Sequence, residues 1–223
     1  MTESGTIIDI SPVINPAMQV FPGDTPPERR VLLDMHDGAN ITLSTLTTTV
    51  HVASHADAES HYVIDGKTID EMDLSRYLGP CVVVGIDDAK IDRDNLRVGL
   101  DAIIGDTLHP RVLIQTGTQP DKQVFNQDFC GLAPELIDAL GERGVRTLGV
   151  DVPSVDPATS KDLPAHAACA RNNIAILEGL VLDAVTPGVY ELIALPLKLR
   201  GFDGSPVRAV LRTLDQASAT DAG

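Results

Sequence analysis

The residues from 51 to 61 include three of the six histidines of the chain and an aspartate, in the order His51-Val-Ala-Ser-His55-Ala-Asp57-Ala-Glu-Ser-His61. In a helix, His51 and His55 would share a face but Asp57 would point away from them. In an extended chain, all four residues have the same parity and project to one side. The preceding residues 41–52 are rich in Thr, Val, Ile and Leu, which favours a strand. The sequence therefore predicts an extended segment that gathers two imidazoles and a carboxylate, with a third imidazole just beyond.

Two histidines and an aspartate form a ligand set that suits zinc or another borderline divalent metal. The alternative is a group of strand histidines that face solvent or make hydrogen bonds in the core. The spacing differs from His-Glu-x-x-His, so it gives no support to a zincin protease. The pattern predicts a metal site but does not by itself define the reaction.

Further ligands must come from elsewhere in the chain. His166 lies on a predicted short helix, and Glu178 is a charge within an apolar predicted strand. A buried carboxylate needs a partner, which for Glu178 is either a metal or a salt bridge to an arginine such as Arg146. His36 and His109 lie in loop-like sequence, and we expect both to be solvated.

The remaining pattern predicts the elements that position these residues, and strands outnumber helices among them. The fold class is therefore mixed α/β. Proline at the first turn and an apolar face predict the helices, and apolar or β-branched runs predict the strands. The predicted elements are strands at 7–10, 41–52, 80–86, 112–116, 145–150 and 174–182, helices at 134–143 and 164–172, a proline-locked loop at 21–27, and a hairpin with arms at 190–199 and 207–214.

Composition limits the partners of the chain. The 223 residues carry a formal net charge of −15, a field that repels phosphate backbones and anionic membrane surfaces. We therefore expect neither nucleic acid nor a membrane as a partner. The first residues lack the basic and apolar regions of a signal peptide, and no stretch approaches the roughly 20 apolar residues that span a bilayer.

The cysteines and the chain end predict the compartment and the domain organisation. Cys81, Cys130 and Cys169 are far apart, which predicts reduced, buried thiols and a cytoplasmic location. The length suits one large domain or two small ones, and we place a single domain at residues 1–214. Residues 215–223 lack large apolar side chains, and we expect a disordered tail there.

With these residues in view, the chain resembles the bacterial kynurenine formamidases, within the wider cyclase-like family that also contains isatin hydrolases. The resemblance extends over nearly the whole length. It rests on Asp9-Ile-Ser-Pro12, Phe-Pro-Gly-Asp-Thr-Pro at 21–26, the His-x3-His-x-Asp-x3-His core at 51–61, Asp128-Phe-Cys130, Gly149-Val-Asp151, Pro153-Ser154, Asp156-Pro157, Ala165-His166, Ile176-Leu-Glu-Gly179, Glu191-Leu-Ile-Ala-Leu-Pro-Leu-Lys198 and Ser205-Pro-Val-Arg-Ala-Val-Leu-Arg212.

The resemblance implies a binuclear site with two divalent ions per subunit, zinc first and manganese as the alternative. One metal would be bound by His51, His55 and Asp57, with Asp57 bridging to the second. The second metal would be bound by His166, and Glu178 would contact both. The resemblance also implies a swivelling β/β/α fold in a single domain, assembled as a homodimer or a higher oligomer.

The implied activity is cleavage of a small aromatic amide, N-formyl-L-kynurenine, to L-kynurenine and formate in tryptophan degradation. His61 would be the catalytic acid and base rather than a ligand. Phe21 occupies the position where related sequences usually carry a tryptophan that packs on the substrate.

Two departures from the family pattern lie inside the histidine segment. Ala53 stands where glycine is usual, which narrows the backbone conformations available beside the ligands. Glu59 stands where proline is usual and shares the parity of the ligands, so it either adds a carboxylate to the site or faces solvent.

Two other kinds of function remain open at this point. The same site could hydrolyse isatin, another cyclic imide or a lactone, or the chain could be a non-catalytic metal-binding protein. A serine hydrolase is disfavoured because the sequence lacks a Gly-x-Ser-x-Gly elbow.

Overall fold

Nine strands form the main sheet of the computed structural model, which describes residues 5–99 and 109–214. Within these residues, two α-helices, a separate hairpin and a small three-stranded sheet accompany it. In chain order the elements are β1 Ile7–Asp9, β2 Glu28–Leu33, β3 Leu43–Thr47, β4 His55–Asp57, β5 Leu78–Gly85, β6 Ile91–Asp92, β7 Arg97–Val98, β8 Arg111–Gln115, β9 Gly131–Leu132, α1 Pro134–Glu142, β10 Thr147–Val150, α2 Pro164–Arg171, β11 Ala175–Glu178, β12 Gly188–Ile193, β13 Gly204–Pro206 and β14 Val210–Thr213. Short 3-10 helices lie at Met35–Asp37, Glu59–His61, Ile69–Glu71, Leu74–Arg76 and Asp88–Lys90.

The main sheet has the strand order β1-β14-β12-β5-β8-β10-β11-β4-β13. Its central strands β5, β8, β10 and β11 are parallel, and antiparallel strands extend it on both sides. Both faces of the parallel centre are covered, which explains why these strands are short apolar runs rather than alternating ones. The mixed α/β class predicted from the sequence is confirmed.

Successive side chains of β8 point to opposite faces of the main sheet and pack in two separate hydrophobic cores. Val112 and Ile114 pack in the core beneath the helices, whereas Leu113 packs in the core on the opposite face. Helix α1 contributes Leu136, Ile137 and Leu140 to the first core, so the predicted helix and its apolar face are confirmed. Full burial of one such side chain stabilises the fold by about 1.5–3 kcal/mol.

The predicted hairpin near the end of the chain is confirmed in its pairing but has an additional strand in its connection. Strand β12 pairs antiparallel with β14, from Tyr190 opposite Thr213 to Ile193 opposite Val210. Between them, β13 leaves this pair and joins β4 at the far edge of the sheet. The connection therefore carries residues 203–206 to the histidine segment.

The strand predicted at residues 41–52 is confirmed over Leu43–Thr47, but the prediction that residues 51–61 are extended throughout is wrong. Strand β3 ends at Thr47, β4 covers only His55–Asp57, and Glu59–His61 form a 3-10 helix. The chain turns before β4 because Ala53 adopts a left-handed conformation, with φ of 56°. Residue parity therefore holds within β4 but does not extend to residues 51 and 61.

The hairpin of β2 and β3 projects from the rest of the fold. All of its strand residues are exposed, although many of them are apolar. The exposed apolar side chains of the hairpin and its turn are Val31, Leu32, Leu33, Met35, Ile41, Leu43 and Leu46. A two-stranded hairpin is marginally stable by itself in water. We therefore expect this apolar surface to pack against a partner.

The prediction of buried, reduced thiols is confirmed, since Cys81, Cys130 and Cys169 are all buried free thiols. Within residues 5–99 and 109–214, no helix has the length and hydrophobicity needed to cross a bilayer. The tail predicted at residues 215–223 lies outside the described residues.

Candidate metal centre

Strand β4 brings the histidine segment to β11. Register pairs His55 with Glu178 and Asp57 with Ile176 across the two strands. His55 and Asp57 therefore share the face that carries the helices, while Ala56 packs in the opposite core. Parity correctly predicted this relation for the two residues, and the antiparallel register adds the carboxylate of Glu178.

The carboxylate of Asp57 is the centre of the cluster and is fully buried. Its Oδ1 lies 3.0 Å from Nδ1 of His51 and 3.5 Å from Nε2 of His55. Its Oδ2 lies 3.5 Å from Nε2 of His166 and makes no hydrogen bond within the described part of the chain. The two oxygens of Asp57 thus face different imidazoles.

Glu178 repeats this arrangement from the neighbouring strand. Its Oε2 lies 3.2 Å from Nε2 of His55, and its Oε1 lies 3.7 Å from Nε2 of His166. The same Oε1 accepts a hydrogen bond of 2.7 Å from the backbone N–H of Val155. Asp57 and Glu178, both buried, therefore each contact His55 and His166, and the side chains beside Glu178 are these histidines rather than Arg146.

His166 is oriented by Asp156, a residue whose role the sequence did not indicate. The Asp156 carboxylate accepts hydrogen bonds from the backbone N–H groups of Ala165 and His166, at 3.1 Å each, in the first turn of α2. It also lies 2.8 Å from Nδ1 of His166. This contact leaves Nε2 of His166 for the cluster, as outer carboxylates do for metal-bound histidines. The signal available in the sequence was that Asp156 precedes the start of α2, the helix that carries His166.

His55 is oriented by the backbone turn around Ala53. Its Nδ1 lies 3.0 Å from the carbonyl oxygen of Ala53, which directs Nε2 to the carboxylates. Gly179 allows this turn, because a Cβ atom there would lie 2.1 Å from the same carbonyl oxygen. Gly204 has the matching role beside His51, where a Cβ would lie 2.8 Å from Cε1 of the ring.

The electrostatics of the cluster follow from charge buried among imidazoles. Burial opposes protonation of His51, but Asp57 and Asp203 outweigh it and raise the pKa of His51 to about 9. Burial acts in the same direction on His166, where Asp156, Asp57 and Glu178 raise the pKa to about 10. Burial would raise the pKa of Asp57, but contacts with His166 and His51 hold it well below its usual value.

This set of residues fits divalent cations. A fully buried and ionised carboxylate keeps one oxygen without a hydrogen bond. Potential ligand atoms of His55, Asp57 and Glu178 lie within 4.8 Å of one another, as do those of His51, Asp57 and His61. Imidazoles and carboxylates are the ligands that zinc and manganese share.

His61 differs from the other three imidazoles in its accessibility. Its side chain is 33% exposed, compared with 15% or less for the others. Its ring lies 4.0 Å from the ring of His51, and its Nδ1 lies 3.3 Å from Oδ2 of Asp203. The 3-10 helix after β4, and not strand parity, places His61 here.

A cavity of about 430 Å³ opens above the cluster. His51, His55, His61, His166 and Glu178 line its floor. Phe21, from the proline-locked loop, lies in its wall, and Phe125, which the sequence did not indicate, packs edge-on against it with ring centroids 5.0 Å apart. The cavity therefore combines a polar floor with an aromatic wall, as in many small-molecule sites.

Glu59 lies outside this cavity, despite sharing the parity of the ligands. It begins the 3-10 helix, and its Oε2 accepts a hydrogen bond of 3.4 Å from the backbone N–H of Lys67. Glu59 therefore contacts the backbone of Lys67 rather than the cluster, and it does not add a carboxylate to the site. His36 is exposed, as predicted, whereas His109 is half-buried.

The fold of this chain, with its nine-stranded sheet, is that of a class of metal-dependent hydrolases. Within that class, the family model described as Putative cyclase matches residues 8–157, and the chain belongs to this cyclase family. The match contains His51, His55, Asp57 and His61 but ends before His166.

Solved structures support this assignment over nearly the full length. A potential metal-dependent hydrolase with cyclase activity is 26% identical with a TM-score of 0.79, and the alignment covers 94% of this chain and 98% of that one. A predicted metal-dependent hydrolase from Bacillus stearothermophilus is also 26% identical, with a TM-score of 0.74 and coverage of 92% and 97%. Isatin hydrolase A from Labrenzia aggregata, bound to benzyl benzoate, shares the fold at 22% identity, with a TM-score of 0.79 and 94% coverage of both chains.

The close approach at Gly179 generates a prediction with a matched control. Gly179 and Gly144 both have positive φ, 66° and 86°, but a Cβ atom would meet a neighbouring atom only at Gly179, since the space at Gly144 is open. We expect Gly144→Ala to lower the free energy of unfolding by about 1–2 kcal/mol, and Gly179→Ala by about 2–5 kcal/mol because overlap adds to the backbone cost. Urea denaturation measures both.

Gly179→Ala should also weaken Zn²⁺ binding, because the displaced carbonyl of Ala53 orients His55. Gly144→Ala should leave Zn²⁺ affinity unchanged. Equal effects of the two substitutions on stability and on affinity would contradict this role of the turn.

Proposed function

We propose that this chain is a metal-dependent amide hydrolase that cleaves N-formyl-L-kynurenine to L-kynurenine and formate. The observation that carries the proposal is the pair of buried carboxylates, Asp57 and Glu178, which extend between His55 and His166 beneath an aromatic cavity. The choice of this particular substrate rests on the resemblance of the sequence motifs to those of kynurenine formamidases.

Two divalent ions, zinc first and manganese as the alternative, complete the proposed site. One would be held by His51, His55 and Asp57, and the other by Asp57 and His166, with Glu178 in contact with both. When bound, such ions lower the pKa of a water molecule and polarise a carbonyl oxygen. The support for this arrangement is that Asp57 and Glu178 each contact both His55 and His166.

The chain itself supplies substrate binding and proton transfer. Phe21 and Phe125 offer ring faces and edges to an aromatic substrate. An anilide nitrogen is a poor leaving group unless it is protonated, and an imidazole can both accept and donate a proton near neutral pH. His61 is the accessible imidazole at the cavity floor and takes this role.

Isatin is the second candidate substrate, and a specific observation favours it. Isatin hydrolases share the fold, including one bound to the product analogue thioisatinate at 22% identity and a TM-score of 0.78. The reaction would again be hydrolysis of a carbonyl–nitrogen bond, and Phe21 in place of tryptophan permits a different ring. Other cyclic imides or lactones belong to the same proposal. A non-catalytic metal-binding protein would leave the cavity and His61 without a role.

The activity is tested with purified, metal-analysed protein on N-formyl-L-kynurenine and isatin. We expect Zn²⁺- or Mn²⁺-dependent hydrolysis that a chelator abolishes. His61→Ala should retain the metal but lower kcat by about 10²–10⁴-fold, the usual contribution of acid–base catalysis. His36→Ala, which alters an exposed histidine outside the cluster, is the control and should be unchanged.

Each outcome separates the alternatives. Preference for isatin would select the second substrate, and metal binding without turnover of either compound would support a non-catalytic protein. Full activity of His61→Ala would remove its catalytic role, and loss of metal from that variant would make it a ligand instead.

We further propose that the chain forms a homodimer through the β2–β3 hairpin. Its apolar side chains are widely exposed, with Leu46 and Met35 each at 61%, and such a surface is typical of an interface. Light scattering should give about twice the 23.7 kDa chain mass. Leu46→Asp should shift the protein towards monomer, whereas Ile64→Asp, at a 94% exposed position outside the hairpin, should not. A monomeric wild type would contradict the proposal.

For the compartment, we propose the cytoplasm. The support is the three buried free thiols, which suit a reducing environment. Fractionation of the producing cells tests this location, and recovery of the protein outside the cytoplasmic fraction would contradict it.

A further inference from the structure

Asp203 lies between two histidines of the site. The sequence predicted only that this residue lies in the connection of a hairpin. Its Oδ2 lies 3.0 Å from Nε2 of His51 and 3.3 Å from Nδ1 of His61. One carboxylate oxygen therefore contacts both a proposed metal ligand and the proposed acid and base.

The backbone around Asp203 is fixed by β13. Gly204, the next residue, pairs with Asp57 on β4. The carbonyl oxygen of Asp203 accepts a hydrogen bond of 2.9 Å from the backbone N–H of Ala58. The Asp203 side chain is thus held at the site by the strand pairing that also positions the central carboxylate, even though it is 49% exposed.

For His61, the contact selects which ring nitrogen is available. In the neutral ring, a hydrogen bond donated by Nδ1–H to Asp203 makes Nε2 the nitrogen that accepts a proton in the cavity. An aspartate in this position also holds the ring orientation, so the same nitrogen faces the substrate in every turnover.

For His51, the same oxygen acts from the opposite side of the ring. Nδ1 of His51 lies 3.0 Å from Asp57, within the cluster, while Nε2 lies 3.0 Å from Asp203, outside it. A metal-binding histidine usually donates its second ring N–H to a carboxylate of this kind, which increases the basicity of the ligating nitrogen.

We propose that Asp203 is a positioning residue that orients His61 for proton transfer and His51 for metal binding. The inference rests on the proposed function, because it assigns Asp203 to the machinery of that hydrolysis. It predicts that one carboxylate couples metal affinity and turnover, which a surface aspartate that merely stabilises its loop would not do.

The chain offers a matched control in Asp70. Its Oδ1 accepts a hydrogen bond of 3.1 Å from the backbone N–H of Gly201, so it supports the same loop, but its contacts are with Thr68 and Gly201 rather than with the histidines. Asp70→Asn therefore perturbs the loop, whereas Asp203→Asn removes the charge that faces the two rings. Asp203→Glu restores that charge.

The kinetic test uses the metal-loaded enzyme with whichever of N-formyl-L-kynurenine and isatin it hydrolyses. Asp203→Asn should lower kcat by about 10–100-fold with KM nearly unchanged, the usual effect of removing an outer carboxylate. Asp203→Glu should recover part of this loss, and Asp70→Asn should be close to wild type. In the His61→Ala background, Asp203→Asn should cause little further loss, because the effect acts through His61.

Two readouts do not depend on turnover. Competition with a chelator should show that Asp203→Asn weakens Zn²⁺ binding by about 10–100-fold. Nitrogen NMR of ¹⁵N-histidine, assigned with His61→Ala, should show His61 protonated at Nδ1 in the wild type and a change of tautomer in Asp203→Asn.

The outcomes distinguish the role of Asp203 from the proposed function. Absence of turnover in the wild type would overturn the proposed function, while Zn²⁺ affinity and the His61 tautomer would still decide the role of Asp203. If Asp203→Asn matches Asp70→Asn in turnover, affinity and tautomer, the positioning role is wrong.

Discussion

The carboxylate of Asp57 is the interaction on which the rest of the site depends. It is fully buried, and an unpaired charge in the interior would be very costly. The fold compensates for it by placing β4 between β11 and β13, where three imidazoles, those of His51, His55 and His166, converge on it. The Glu178 carboxylate adds a second buried negative charge beside them. The remaining oxygen of Asp57 then has a divalent cation as its natural partner, which relates the sheet topology directly to the proposed chemistry.

Protons and metal ions compete for this arrangement. The raised pKa values of His51, about 9, and His166, about 10, mean that both rings are protonated at neutral pH in the metal-free protein. Their contribution to folding stability is complete below the ordinary histidine pKa near 6.5 and is lost as the pH rises through 9 to 10. Metal ligands must be neutral imidazoles, so cations replace protons and Zn²⁺ affinity should increase with pH.

Local patterns were sufficient for the helices and for the pairing of β12 with β14, because these depend on residues near in sequence. They also placed His55 and Asp57 on one face. They failed for the extended segment at residues 51–61, because a residue pattern does not show that Ala53 adopts a left-handed conformation. Asp203 and Phe125 could not be predicted, since each reaches the site through contacts distant in sequence.

The most direct measurement of the central claim is calorimetric titration of metal-free protein with Zn²⁺ at pH 7, in two buffers that differ in ionisation enthalpy. We predict two ions per chain and net release of about two protons, because His51 and His166 must lose theirs to bind metal. Fewer than two bound ions would contradict a binuclear site built on Asp57 and Glu178, whereas a binding enthalpy that does not depend on the buffer would contradict the release of protons by His51 and His166.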